Sequence, residues 1–415
     1  MSEVVQKSKL AKTAARQMGS LTTEQKNAAL LLMADSLITG QAAIMEANAK
    51  DLQRGQENGL SASLLDRLAL NEARIAAMAD GLRQITELPD PIGDTLESFD
   101  RPNGLHIQKI RVPLGVIGII YEARPNVTVD AAGLCLKTGN AVVLRGGSSA
   151  LFSNEKIVEV LHGALSRSAI PTDALQLILN PDRSSVDEML KLNGLIDVLI
   201  PRGGHSLIQN VVNNASVPVI ETGAGVCHTF IDESAQLDMA IRIAINAKAQ
   251  RPSVCNSMET MLVHEAFAAQ HLDALAGAFA AASVELRGDE RARALVPSIN
   301  QAEAGDWGTE YGDYILNVKI VQNLDEALTH ICTYGTMHSE CIVTEHADNA
   351  RTFLQEVDAA AVYHNASTRF TDGFEFGFGA EIGISTQKLH ARGPMGLPAL
   401  TSTKYRIYGN GQIRE

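Results

Sequence analysis

The chain has 415 residues, which is enough for two or three domains that each bury a core. Hydrophobic residues make up 45% of the chain and charged residues 20%, a composition that excludes disordered and fibrous proteins. The 48 acidic and 35 basic side chains give a net charge of -13, which repels polyanions, so nucleic acid is not an expected partner.

The sequence also lacks the signals of several other protein classes. It has no apolar run long enough to span a bilayer and no compact apolar core of a signal peptide near its N-terminus, so we expect no membrane partner. Its five cysteines are widely spaced and form no CxxC pair, and the histidines show no HExxH spacing, so we assign no disulfide and no metal. This pattern favours the reducing cytoplasm.

In chain order, the first elements are helical up to about residue 90. One helix follows the start signal Thr22-Thr-Glu-Gln25, and the pattern breaks at Leu88-Pro-Asp-Pro-Ile-Gly93. A protruding hairpin is expected near the turn Arg101-Pro-Asn-Gly104, and it leads into an apolar core strand at 115–121.

Apolar strands and helices then alternate along the chain. Strands are predicted at 141–144, 175–179 and 196–200, and helices near 152–166, 185–190 and 205–213. A second series begins at residue 226, with strands near Thr229, Thr260, Ile315, Cys341 and Ala361, helices at 237–249, 266–282, 324–334 and 346–356, and a last strand at 403–408. This alternation predicts an α/β protein with parallel, doubly wound sheets.

One cysteine lies in a polar loop, within Ala249-Gln-Arg-Pro-Ser-Val-Cys-Asn256, between a predicted helix and a predicted strand. In such a loop Cys255 can meet a substrate, and its thiolate can attack an acyl carbon to form a thioester. A cysteine can also serve only as a small buried hydrophobe. We read the other four, Cys135, Cys227, Cys332 and Cys341, as core residues.

Two further residues have suitable chemistry close to strand ends. Asn126 follows the apolar strand in Tyr121-Glu-Ala-Arg-Pro-Asn-Val127, where its amide can donate to an oxyanion or simply form a turn. Glu221 lies in Ile220-Glu-Thr-Gly-Ala-Gly225, either as an acid or base facing the thiol or as the start of a loop.

Three glycine-containing loops are candidates for cofactor binding. Arg202, Gly203 and Gly204 lie between a strand and a helix, where a nucleotide phosphate can meet helix N-H groups. Another strand is followed by Arg145, Gly146, Gly147 and Ser148 with no acidic residue, and a cation there favours the 2′-phosphate of NADP(H). Glu310, in Glu310-Tyr-Gly312, can hydrogen-bond a ribose or form a surface turn.

The order of these motifs from Asn126 to Glu310 resembles the aldehyde dehydrogenase superfamily over essentially the whole chain. Four segments resemble its gamma-glutamyl phosphate reductase family more narrowly. They are Tyr121-Glu-Ala-Arg-Pro-Asn-Val127, Gln250-Arg-Pro-Ser-Val-Cys255, Asn365-Ala-Ser-Thr-Arg-Phe-Thr-Asp-Gly373 and Arg392-Gly-Pro-Met-Gly-Leu397.

The resemblance implies two Rossmann-like α/β domains and a small β oligomerisation element. The cofactor domain would comprise 1–100 and 122–225, and the catalytic domain 226–365. The hairpin and C-terminal strand, 101–121 and 398–415, would form the oligomerisation element of a homo-oligomer, and 366–397 would return along the active site.

The implied activity is the NADPH-dependent reduction of L-glutamyl 5-phosphate to glutamate 5-semialdehyde through a Cys255 thioester, in proline biosynthesis. Asn126 would stabilise the oxyanion. Glu221 would either exchange a proton with the Cys255 thiol or point away from that thiol. The substrate-binding candidates are Arg124, Arg251, Asn365, Ser367, Arg369 and Arg392. Pairing with Glu122 is the alternative role of Arg124. A separate glutamate 5-kinase would be the functional partner, with physical docking left open.

Two alternatives remain at this point. In the first, the enzyme oxidises another semialdehyde with water, and Glu221 is the general base. In the second, the chain is a non-catalytic assembly partner that has kept the fold.

Overall fold

The computed structural model describes residues 1–122 and 124–414. These residues form two compact units. The first unit comprises Met1–Thr222, Gly377–Gly383 and Met395–Glu415, and the second comprises Gly223–Phe376 and Ile384–Pro394.

The helices and strands alternate through most of the chain. The helices are α1 Glu3–Met18, α2 Thr23–Thr39, α3 Gln41–Glu57, α4 Ala62–Leu68, α5 Glu72–Glu87, α6 Asn126–Lys137, α7 Leu151–Leu165, α8 Arg183–Met189, α9 His205–Asn214, α10 Leu237–Ala249, α11 Glu265–Ala281, α12 Glu290–Leu295, α13 Leu324–Tyr334 and α14 Ala347–Glu356. The strands are β1 Thr95–Asp100, β2 His106–Pro113, β3 Val116–Tyr121, β4 Ala141–Arg145, β5 Leu175–Leu177, β6 Val198–Arg202, β7 Cys227–Ile231, β8 Met258–His264, β9 Glu285–Gly288, β10 Asn300–Gln301, β11 Ile315–Val321, β12 Ser339–Val343, β13 Ala361–His364, β14 Ile384–Ser385, β15 Gly393–Pro394 and β16 Thr401–Tyr408.

The first unit has a four-stranded parallel sheet in the order β5-β4-β3-β6. Strands β3 and β4 are buried along their whole length, as their continuous apolar sequences predict for a sheet covered on both faces. In the pairing register Ile120 lies beside Arg145, and Tyr121 lies beside Arg202. The loops that follow β3, β4 and β6 therefore leave from one edge of the sheet.

The helices α1 to α5 confirm the helical N-terminal segment. Thr22 caps α2 in a capping box, because its side chain accepts from the Gln25 N-H while the Gln25 side chain accepts from the Thr22 N-H. In the described part of the chain, no single helix is long and apolar enough to cross a membrane. Helices α2 and α3 meet that criterion only as a pair, with a 67° bend between them.

The first unit also contains a separate antiparallel sheet in the order β1-β2-β16. The expected hairpin is present, but its first strand is β1, which the sequence did not reveal. Every residue of β1 is exposed, so the strand has no buried face that would require apolar residues at every second position. On β16, Tyr405, Ile407 and Tyr408 are exposed apolar residues.

The second unit has a seven-stranded parallel sheet in the order β10-β9-β11-β8-β7-β12-β13. Its main core packs α10 and α11 against the sheet through residues such as Ala244, Phe267 and Phe279. The five predicted strands and four predicted helices of this series are confirmed. Strands β9 and β10 and helix α12 were not predicted, because each is short and gives too few repeats for a period to show.

Candidate active site

The candidate nucleophile, Cys255, lies in the loop between α10 and β8 and is partly exposed. Its carbonyl oxygen accepts a hydrogen bond from the Cys227 thiol at 3.2 Å. The same oxygen is packed against Gly225, where an added Cβ would lie only 1.5 Å away. The backbone at the nucleophile is thus fixed from the interior of the second unit.

Replacing Gly225 with alanine should displace this loop, because the clash is with backbone atoms that no rotamer change can move. We expect the iodoacetamide reactivity of Cys255 to change severalfold and the melting temperature to fall. The control is Gly277→Ala in α11, where an added Cβ would have no neighbour within 4 Å. Equal changes of Cys255 reactivity and melting temperature in the two variants would contradict the proposal that Gly225 fixes the Cys255 loop.

The residue after the nucleophile is anchored by a second segment, the 365–371 loop. Asn256 is buried, and its side-chain amide donates to the Thr371 carbonyl at 2.8 Å. Its own carbonyl accepts from the Thr368 hydroxyl at 2.7 Å. The structure therefore brings a predicted substrate-binding segment against the Cys255 loop, with Asn256 as the link that sequence reasoning missed.

Arg369 lies at the centre of this contact. It donates to the side-chain oxygens of Asn256 and, at 2.8 Å, of Gln250. Burial, together with the neighbouring charge of Arg251, lowers the pKa of Arg369. The two arginines thus concentrate positive charge around the loop that carries Cys255, an environment that favours anions.

The side chains of the other predicted substrate-binding residues of the second unit form hydrogen bonds or an ion pair within the protein. Asn365 uses its side-chain oxygen and nitrogen on the backbone of Thr344, at 2.9 and 3.0 Å. Ser367 is buried and accepts from the Arg369 N-H at 3.2 Å. Arg392 is exposed and forms an ion pair with Asp358 at 2.8 Å.

A buried ion pair joins the two elements that flank the nucleophile. Lys248 in α10 lies 2.7 Å from Glu259 in β8, and the two side chains are 0% and 1% exposed. Burial raises the pKa of Glu259 to about 7 and lowers the pKa of Lys248. Glu259 also accepts from the Gly312 N-H at 3.3 Å and so supports the exposed loop that carries Glu310.

In the first unit, Asn126 lies in a helix, so the interpretation of this residue as only a turn former is wrong. It is the first residue of α6, directly after Pro125, and it is exposed. Its amide donates to the Asp130 carboxylate at 3.1 Å, across one helical turn. Asp130, which the sequence did not single out, therefore orients the candidate oxyanion donor.

Asp130 predicts a pH dependence of activity. Burial raises its pKa from 3.8 to about 6, so below about pH 6 the charge-assisted acceptor for Asn126 is lost. We expect kcat to fall below about pH 6 and Asp130→Asn to flatten that limb; an unchanged profile would contradict the role. The effect on stability is opposite to the effect on activity. Because the pKa of Asp130 is raised in the folded state, the free energy of unfolding should increase as the pH falls from about 6 towards 4.

In the loop after β6, a backbone N-H that could bind a phosphate already binds a carboxylate of the protein. Glu122 accepts from the Gly204 N-H at 2.8 Å, at the start of α9. A Cβ at Gly203 would lie 2.6 Å from the same carboxylate. A cofactor phosphate bound to this N-H would therefore have to displace Glu122. Arg202 is partly buried beside Gly383, and Arg124 is exposed.

Arg145 is not the free cation that the sequence suggested. It is 8% exposed, and its guanidinium donates to the Pro181 carbonyl at 2.6 Å and the Asp182 carbonyl at 3.2 Å. Burial lowers its pKa. The donors that would bind a 2′-phosphate are engaged by protein carbonyls, so the expectation of a direct contact is corrected to support of the 181–182 turn.

The remaining cofactor candidates lie at the same edge of the four-stranded sheet. Gly146, Gly147 and Ser148 follow β4 and are at least partly exposed, and Gly203 and Gly204 follow β6. These two loops flank β3, in the position where doubly wound sheets bind nucleotides. Among the described residues there is no group of three or more His, Cys, Asp or Glu side chains that could hold a metal.

Glu221 follows a segment that extends the parallel sheet. Ile220 donates to the Leu199 carbonyl at 2.9 Å, and Leu199 and Val219 form a parallel bridge. The next side chain, Thr222, donates to the Pro201 carbonyl at 2.7 Å. Glu221 is partly buried between these fixed neighbours, and its role stays a prediction.

The four other cysteines do not all behave as expected. Cys135, Cys227 and Cys341 are buried, as predicted, whereas Cys332 is exposed. The prediction for Cys332 was wrong because the last turn of α13 presents that position to solvent.

Comparison with known proteins identifies the class. The model of the aldehyde dehydrogenase family matches residues 2–308. A Halalkalibacterium halodurans protein is 58% identical over 416 residues, and a Bacillus cereus protein is 58% identical over 415 residues; both alignments cover 100% of each chain. A crystal structure from Thermotoga maritima has a TM-score of 0.98 and 48% identity, covering 100% of both chains.

The chain belongs to the aldehyde dehydrogenase family, and the predicted fold class is confirmed. The two relatives and the Thermotoga maritima structure each bear the name gamma-glutamyl phosphate reductase. The narrower resemblance of the sequence motifs is therefore confirmed as well. Family and fold together imply a nicotinamide cofactor.

Proposed function

We propose that this chain reduces L-glutamyl 5-phosphate to L-glutamate 5-semialdehyde and phosphate, as the second step of proline biosynthesis from glutamate. The observation that carries the proposal is its 58% identity, over full length, to proteins named gamma-glutamyl phosphate reductase. The anchored, partly exposed Cys255, with arginines around its loop, supports the same chemistry.

In this reaction the Cys255 thiolate attacks the γ-carbonyl, with Asn126 and the Cys255 backbone N-H donating to the oxyanion. The carbon-oxygen bond to phosphate breaks, and the phosphate leaves as an anion near Arg251. NADPH, when bound, supplies the hydride that reduces the thioester. Collapse of the thiohemiacetal then frees the aldehyde and restores the thiol. Glu221 is the proposed group that exchanges a proton with this thiol.

The substrate contacts are proposed from the charge and exposure of the candidate side chains. Arg251 is exposed in the Cys255 loop and is the proposed phosphate contact. Arg369, Arg392 and Arg124 are proposed partners of the substrate carboxylate. Asn365 and Ser367 are proposed to shape the loop, because their polar atoms already bind backbone.

The cofactor is proposed to be NADPH, held by the 146–148 and 203–204 loops, with Glu310 on a ribose. Because Arg145 binds the turn at 181–182, Arg145→Leu should weaken NADPH and NADH by similar factors and lower the melting temperature. Titration of both cofactors with thermal unfolding checks this. A loss of affinity for NADPH alone would show that Arg145 contacts the 2′-phosphate directly.

We further propose a cytoplasmic homo-oligomer built through the antiparallel sheet. The support is the exposed apolar side chains Tyr405, Ile407 and Tyr408 on its last strand. A glutamate 5-kinase would supply the acyl phosphate, and its physical docking is tested by co-sedimentation. Light scattering of wild type and Ile407→Asp tests the oligomer.

The reaction is tested in the biosynthetic direction with the acyl phosphate made in place. Purified protein is mixed with glutamate, ATP, a glutamate 5-kinase and NADPH, and NADPH oxidation is followed. The proposal expects oxidation only when kinase and ATP are both present. Absence of oxidation in the complete mixture, with active kinase verified by ADP release, would contradict it.

A further inference from the structure

We propose that Cys227 is a positioning residue for the nucleophile, and that its thiol holds the Cys255 carbonyl in the orientation that the reaction requires. The inference rests on the proposed function, since it takes Cys255 as the nucleophile. Cys227 is the first residue of β7 and is 0% exposed, and its sulfur lies 3.2 Å from the Cys255 carbonyl oxygen. Its own side chain therefore cannot reach a substrate from solvent.

The hydrogen bond keeps its direction because the thiol stays protonated. Burial raises the pKa of Cys227 well above its ordinary value, so the S-H donor is retained at neutral pH. A base, His338, faces the thiol with its Nδ1 3.8 Å from the sulfur, and burial lowers the pKa of this histidine to about 4. His338 Nδ1 is also within 2.9 Å of the Ser339 hydroxyl.

Two neighbouring contacts complete the fixation of the loop. Gly225 packs against the same carbonyl from one side. On the next residue, the buried Asn256 is tied to Thr371 and Thr368. The chain on the C-terminal side of the nucleophile is thus set before a substrate arrives, which removes an ordering cost from the attack.

The variants that test the proposal are Cys227→Ala and Cys227→Ser, with Cys341→Ala as a matched control. Cys341 is equally buried and donates to the Ala366 carbonyl at 3.0 Å, but it does not bond to Cys255. A neutral hydrogen bond contributes about a fivefold effect. We therefore expect Cys227→Ala to lose about fivefold in kcat with KM within about twofold, and Cys227→Ser to recover most of the loss.

An equal kcat loss in Cys341→Ala would overturn the proposal, because the effect would then be general loosening of the core. It would also be overturned if Cys227→Ser were as slow as Cys227→Ala.

Hydrogen exchange of the 250–257 amides gives a readout that needs no substrate. Cys227→Ala should exchange faster there than wild type, and Cys341→Ala should not. Unchanged exchange in Cys227→Ala would overturn the positioning role whatever the activity is. An inactive wild type would instead contradict the proposed function, so the two failures are distinguishable.

Discussion

Replacing Cys255 with alanine is expected to abolish turnover, with a fall in kcat of at least about 10⁴-fold. The proposed reaction passes through a bond to this sulfur, and alanine offers no atom that can form it. Binding of NADPH should be largely retained, because the proposed cofactor loops belong to other parts of the chain. Single-turnover reduction and cofactor titration on the same preparation measure both quantities.

The control for this variant is Cys332→Ala, which removes an exposed thiol from the end of α13. We expect it to keep wild-type activity. Reduction by Cys255→Ala at more than about a hundredth of the wild-type rate would contradict the covalent mechanism, since it would require a path without a thioester.

Breaking the buried Lys248–Glu259 pair should have the largest effect on stability. Removing one partner leaves an uncompensated charge in the core, which costs about 3 to 5 kcal/mol. We therefore expect Glu259→Ala to lower the free energy of unfolding by about this amount. Denaturant unfolding of the purified variant measures the change, and the pairing at 2.7 Å with both side chains buried is its structural basis.

Two comparisons test that explanation. The pair Arg351–Asp348 is exposed at 65% and 88%, so Asp348→Ala should cost less than about 1 kcal/mol. Replacing both buried partners, as in Lys248→Met with Glu259→Leu, should recover a large part of the loss. If the double variant were less stable than Glu259→Ala, the unpaired charge would not be the cause.

Much of the fold was predictable because its elements carry strong local patterns. The continuous apolar sequence of β3 and the capping box at Thr22 are examples. Strand β1 was missed because it is exposed throughout and shows no apolar period.

The site was predictable where one residue's chemistry and one loop sufficed, as for Cys255. The residues that hold it, Cys227 and Asn256, act through contacts with segments distant in sequence, which a single sequence does not show. Arg145 gave the opposite error. A cation after a strand has the pattern of a phosphate contact, but distant carbonyls at Pro181 and Asp182 already occupy its donors.

In the proposed mechanism the Cys255 thioester exchanges with phosphate and not with water. The most direct test is NADP⁺ reduction by the purified protein with glutamate 5-semialdehyde, in equilibrium with its cyclised pyrroline form, with and without inorganic phosphate. We expect reduction to depend strictly on phosphate and to yield an acyl phosphate that hydroxylamine traps. Equal rates without phosphate, with free glutamate as product, would contradict this mechanism and make Glu221 the general base of a hydrolytic dehydrogenase.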